Sequence, residues 1–93
     1  MVKTLADVTL TGSAQQLTAT PTKAAWVQVQ GIGSNAAFRI GDASVGAARG
    51  VVVPASGGGQ FFPPIGESRS YDLSQIYVKG TLNDTIAVMY GTR

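Results

Sequence analysis

Five carboxylates, seven cations and seven aromatic rings make up nearly all the chemistry that this 93-residue sequence offers. The carboxylates are Asp7, Asp42, Glu67, Asp72 and Asp84. Acid–base hydrolysis needs two of them held at a set separation, and the spacing favours no pair. Asp42, Asp72 and Asp84 stand beside turn signals, where a carboxylate accepts backbone N–H groups. Turn and cap roles are therefore predicted for these three. The sequence has no His and no Cys. That removes Ser–His and Cys–His nucleophile pairs, thiolate metal sites and disulfides. What is left predicts a protein that is not an enzyme and uses no cofactor and no metal.

Trp26, Phe61, Phe62, Tyr71 and Tyr77 are the large groups with interaction chemistry. Trp26 and Tyr77 fall on the polar side of their strand patterns. Three uses compete for them: a platform on which sugars or bases stack, anchors in a protein interface, or core beneath a second sheet. Arg39, Arg49 and Arg69 are either solvated surface charges or bidentate partners for carboxylates on another protein. The formal net charge is only +2, and Lys and Arg do not cluster around the rings. Nucleic acid is therefore not an expected partner. The candidate contact set is Trp26, Arg39, Arg49, Phe61, Phe62 and Tyr77.

Two short motifs have simpler explanations than their chemistry. Gly31-Ile32-Gly33-Ser34-Asn35-Ala36 matches G-x-G-x-x-A, but dinucleotide binding requires a helix to begin there. Ala37-Phe38-Arg39-Ile40 is strand-like instead, so a hairpin turn is predicted. Asn83-Asp84-Thr85 has the form of a glycosylation acceptor, and residues that tolerate unusual backbone angles in a turn explain it better.

The elements that must position these groups are short and alternate with period two. In residues 4–11, Ala6, Val8 and Leu10 share one face. Residues 15–18 form a short return strand. Residues 25–30 are the clearest strand, with Ala25, Val27 and Val29 inward. Residues 36–40 place Phe38 and Ile40 inward and Arg39 outward. Residues 51–53 and 60–62 are brief runs stopped by Pro54 and Pro63. Asp72-Leu73-Ser74-Gln75 has the spacing of an N-capped turn, with Gln75 able to reach back. Residues 76–80 and 85–90 are two further strands, and their short connection predicts a hairpin. Residues 55–70 are the loosest part.

The pattern is all-β: a small antiparallel sandwich or barrel of seven to eight short strands. It forms one domain, residues 1–93, with an N-terminal arm over residues 1–4 that can add a strand to a neighbour's sheet. No apolar run is long enough to span a membrane. No export signal is expected, because Lys3 is followed by no apolar stretch. So short a chain buries a limited core, which favours self-association.

The order of segments resembles small structural proteins of tailed bacteriophages. Phe38-Arg39-Ile40-Gly41-Asp42-Ala43-Ser44-Val45 is similar to their strand–Ile-Gly-Asp-x-x-Val element. A Gly- and Pro-bearing loop follows, here residues 50–64. Asp72-Leu73-Ser74-Gln75-Ile76-Tyr77-Val78-Lys79-Gly80 is similar to a later Asp-Leu-Ser-x-Ile-Tyr-Val-x-Gly element. A closing strand with Ile86, Val88 and Tyr90 comes after a turn Asp. The insert at residues 56–64 departs from the pattern. The resemblance implies a capsid decoration (cement) protein that binds the assembled major capsid protein, with three-fold self-association and a place on the virion surface after assembly in the host cytoplasm. It supplies no catalytic residues. A head-fibre, tail or adaptor component and a carbohydrate-binding β-module are the alternatives.

Overall fold

The computed structural model describes residues 1–46, 48–66 and 69–92. Among the described residues, eleven strands follow one another: β1 (Val2–Thr4), β2 (Val8–Thr9), β3 (Gln15–Gln16), β4 (Lys23–Ala24), β5 (Trp26–Gly31), β6 (Phe38–Gly41), β7 (Val51–Val53), β8 (Gly59–Phe62), β9 (Tyr71–Asp72), β10 (Tyr77–Lys79) and β11 (Thr85–Gly91). A single 3₁₀ turn, Leu73–Gln75, is the one helical piece among the described residues. The larger sheet has the order β1-β11-β5-β8, with β2 also on β11. The second sheet runs β3-β10-β6-β7, and β4 and β9 form a two-stranded ribbon. All pairings are antiparallel.

Alternation decides which side chains meet between the sheets. Val27, Val29, Ile86 and Val88 of the larger sheet join Phe38, Ile40, Val53 and Val78 of the second in one buried cluster. Each such side chain contributes about 1.5–3 kcal/mol when fully withdrawn from water. The sheets therefore stack as a sandwich, the all-β architecture that the period-two runs predict. The strand count is higher than expected because β1, β2, β4 and β9 are pairings of two or three residues. Segments that short carry no readable alternation.

The inward sets predicted for residues 25–30, 36–40, 76–80 and 85–90 are buried at Val27, Val29, Phe38, Ile40, Ile76, Val78, Ile86, Val88 and Tyr90; Ala25, expected inward with them, precedes β5 and is only half-buried. Residues 4–11 behave differently. The chain leaves strand geometry between β1 and β2, and Ala6 is exposed while Leu10 is buried. Residues 2–4, expected as an arm, pair within this chain: Val2, Lys3 and Thr4 lie opposite Gly91, Tyr90 and Met89. The N-terminal ammonium donates to the Thr92 carbonyl at 3.0 Å, holding the two ends together.

Two predicted hairpins are instead corners between sheets. β10 belongs to the second sheet and β11 to the larger one. The turn joining them is tied to distant chain: the Leu10 N–H donates to the Asp84 carbonyl and the Asn83 N–H to the Leu10 carbonyl. The apolar faces of β10 and β11 then face each other across the core rather than lying side by side. The turn after β5 also changes sheets. Asn35, 4% exposed, stands there with its amide donating to the Ala36 carbonyl and its side-chain oxygen accepting from the Gly57 N–H.

Candidate functional site

The three turn carboxylates do what their positions predict. The Asp72 carboxylate accepts the Ser74 N–H at 2.9 Å, the Ser74 hydroxyl at 2.7 Å and the Thr22 N–H at 3.2 Å. Those bonds favour the charged form, with the Ser74 hydroxyl the largest cause, and hold the carboxyl below its ordinary range. Asp72 thus caps the 3₁₀ turn, with Ser74 rather than Gln75 completing the cap. Asp42 accepts the Ser44 hydroxyl at 2.6 Å and the Ser44 N–H at 2.9 Å, and its carboxyl is lowered by the same means, Arg49 adding a smaller pull. Asp84 accepts the Ala36 N–H at 2.8 Å, which pins the corner after β5. Asn83 takes φ 73°, the left-handed turn geometry that asparagine tolerates. Glu67 lies outside the described residues. Among the described residues, no three of His, Cys, Asp and Glu come together.

The six candidate contact residues divide between the two outer faces, a loop and the interior. Trp26 projects from the outer face of the larger sheet. Its cross-strand neighbour is Gly91, and a Cβ built there would collide with the indole nitrogen, so the ring occupies the space that the glycine leaves. Phe61, opposite Gln28 on β8, shares the face. The Trp26 and Phe61 ring centroids are 6.1 Å apart with planes tilted by 44°, within the range of favourable aromatic pairs. Phe61 remains 49% exposed. Phe62 has the opposite orientation: it pairs with the fully buried Val27, packs against the core and meets Tyr71 edge-on at 5.5 Å. Tyr71 is fixed in turn by its hydroxyl, which donates to the Pro63 carbonyl at 2.6 Å.

Arg39 and Tyr77 lie on the outer face of the second sheet, both half-buried. Arg39 stands directly opposite Lys79, and Tyr77 opposite Gly41. Arg49 is exposed on the loop before β7, where it forms a backbone bridge with Gly46.

The pairing register adds residues that the sequence reading omitted. On the larger sheet, β1 and β11 bring Val2, 61% exposed, and Met89, 39% exposed, onto the side that carries Trp26 and Phe61. Gln28 lies between Met89 and Phe61, and with Gln30, Thr4, Asp7, Ala87 and Met89 it borders a shallow hollow of about 410 Å³. Alternation in β11 alone puts Met89 outward. Nothing in the sequence says that β5, rather than β10, stands beside it. The result is an aromatic and aliphatic face with a polar centre, held on β1, β11, β5 and β8 of the larger sheet.

No family model matches this chain, and neither a curated protein nor a solved structure matches it.

Proposed function

We propose that this chain is a virion structural protein of the capsid-decoration (cement) type, a passive β-module that docks on the assembled major-capsid lattice of a tailed bacteriophage and stabilises the mature head. The single observation that carries the docking reading is the outward Trp26–Phe61 pair, seated on Gly91 and flanked by Met89 and Val2. Large aromatic anchors on an exposed face are typical of protein interfaces. The capsid assignment draws on the ordered resemblance at residues 38–45, 72–80 and 84–90. Binding only the finished lattice would stabilise it by mass action. Contacts from several copies, in a trimer at a local three-fold position, would add avidity.

A second reading is a carbohydrate-binding module, favoured by the amide side chain of Gln28 on the strand position opposite Phe61. The same experiment separates the two. Purified protein is mixed with mature, undecorated heads, the heads are sedimented and bound copies are counted. Saturation at a fixed large number per head is expected, and Trp26→Ala and Phe61→Ala proteins, still folded, should bind fewer copies. Wild-type occupancy by both variants refutes the aromatic face as the contact. No head binding, with saturable sugar quenching of the lone Trp instead, replaces decoration with the carbohydrate reading. A few copies in whole virions without lattice binding would indicate a head-fibre, tail or adaptor component.

A further inference from the structure

The outer face of the larger sheet holds one carboxylate that the fold does not use. Asp42, Asp72 and Asp84 each accept hydrogen bonds that fix a turn. Asp7 lies between β1 and β2 and is exposed. Among the described residues it accepts no hydrogen bond and meets no cation within ion-pair distance. It borders the hollow of about 410 Å³ on that face and is the only charged side chain among its walls. The chain as a whole is cationic, at +2, so the hollow has the opposite sign to the molecule that carries it.

The other walls combine acceptors with apolar surface. Thr4, Met89 and Gln28 occupy one cross-strand row, and Ala87 and Gln30 the next on the same face. The Gln30 amide nitrogen donates to the Gly57 carbonyl at 3.2 Å. A carbonyl can be met only by the NH₂ end, so that amide is oriented and its oxygen remains an acceptor. The Thr4 hydroxyl makes no hydrogen bond among the described residues. Leu5, Val88 and Met89 add apolar surface. A group that fits has positive charge, several donors and an aliphatic stem. An arginine side chain meets all three needs: five N–H donors in a plane, no acceptor, and methylenes that lie against apolar walls. A lysine ammonium offers three donors at a single point, and an anion is repelled by Asp7. The first row continues from Gln28 to Phe61, so the hollow is continuous with the aromatic pair.

We infer that this hollow receives an arginine side chain of the docked partner protein, its guanidinium on the Asp7 carboxylate and its remaining donors shared with the Gln30 oxygen and the Thr4 hydroxyl. The inference rests on the reading of the Trp26–Phe61 face as the docking face. The aromatic pair supplies apolar burial, and the hollow sets orientation by charge. A pair this open to water is weak on its own, so the hollow selects the partner more than it holds it.

The test uses the isotope-labelled full chain, nuclear magnetic resonance and two capped tripeptides: leucine-arginine-leucine, and the same peptide with citrulline, the uncharged isostere, in place of arginine. Saturable shift changes are expected at Ala87, Met89 and the side-chain amides of Gln28 and Gln30, and none at Arg39 on the opposite sheet. The citrulline peptide should bind about threefold to fivefold more weakly, as befits an exposed charge pair. Added salt should narrow that gap, and Asp7→Asn should close it. Asp7 makes no bond within the described fold, so the variant should keep the wild-type Tm. The peptide exchange probes the charge with the protein unaltered, so misfolding of a variant cannot imitate the result. Equal affinity for the two peptides overturns the proposal. So does the absence of saturable shifts, or a preference for arginine that survives Asp7→Asn. Cellobiose moving the same resonances at lower concentration than the arginine peptide also overturns it and gives the hollow to a sugar. The assay contains no capsid, so its failure leaves the count of copies on mature heads to decide the decoration reading.

Discussion

Gly91→Ala puts the aromatic face under direct test. Gly91 is buried at the end of β11, opposite Trp26. Its φ lies outside the left-handed region, so alanine meets no backbone strain. A methyl group there would occupy the space of the indole, and the ring must rise from its seat. Forcing an added carbon into a packed contact costs about 1–3 kcal/mol. Replacing a strand glycine returns about 0.5–1 kcal/mol through the unfolded chain. The net is a loss of about 1–2 kcal/mol, or a fall in Tm of about 5–15 °C for a domain of this size. In a Trp26→Ala background the collision is gone, and the same substitution should be neutral or stabilising by about 0.5–1 kcal/mol. Urea unfolding followed by far-ultraviolet circular dichroism on the four proteins gives the coupling energy, expected at about 1–3 kcal/mol. The single Trp reports independently, since its emission should shift to the red in Gly91→Ala. An equal cost of Gly91→Ala in both backgrounds would refute the seating of Trp26, and with it the geometry of the docking face.

Acid stability follows from the two capping carboxylates. Asp42 and Asp72 have folded-state pKa values below those of the unfolded chain. Their contribution is complete above the ordinary carboxylate range and is lost as pH falls through the lowered values. The Asp42→Asn, Asp72→Asn double variant should therefore lose stability at neutral pH and show a flatter decline of Tm on acidification; an unchanged slope contradicts the cap assignment. Asn35→Ala removes the acceptor of the Gly57 N–H and the donor to the Ala36 carbonyl. It should cost about 1–3 kcal/mol in urea unfolding, and a cost within the scatter of surface substitutions, about 0.5 kcal/mol, would show that the corner is held by other bonds.

Much of the fold was legible because strand alternation is a local property. Val27 and Val29, Phe38 and Ile40, Ile86 and Val88 could be assigned inward from their spacing alone, and each is buried. The Asp72 cap was equally legible, since it spans two residues. Hairpins were not. Sequence shows that residues 81–84 turn, but the sheet that each flanking strand joins depends on bonds from Leu10 and Ala36, which lie far away in the chain.

The candidate site divides along the same line. The residue types, an aromatic-bearing outward row and an almost complete lack of acid–base groups, belong to the sequence. Their neighbours do not. Trp26 and Phe61 meet because β5 pairs with β8 in one register, and a slip of one residue would turn Phe61 inward and Phe62 outward. Arg39 faces Lys79 because β6 and β10 pair across a long separation in the chain. Side-chain chemistry and the period-two pattern are written residue by residue. Which faces are brought together is decided only when the two sheets close on a shared core, because that burial selects one register among many that local propensity leaves equal.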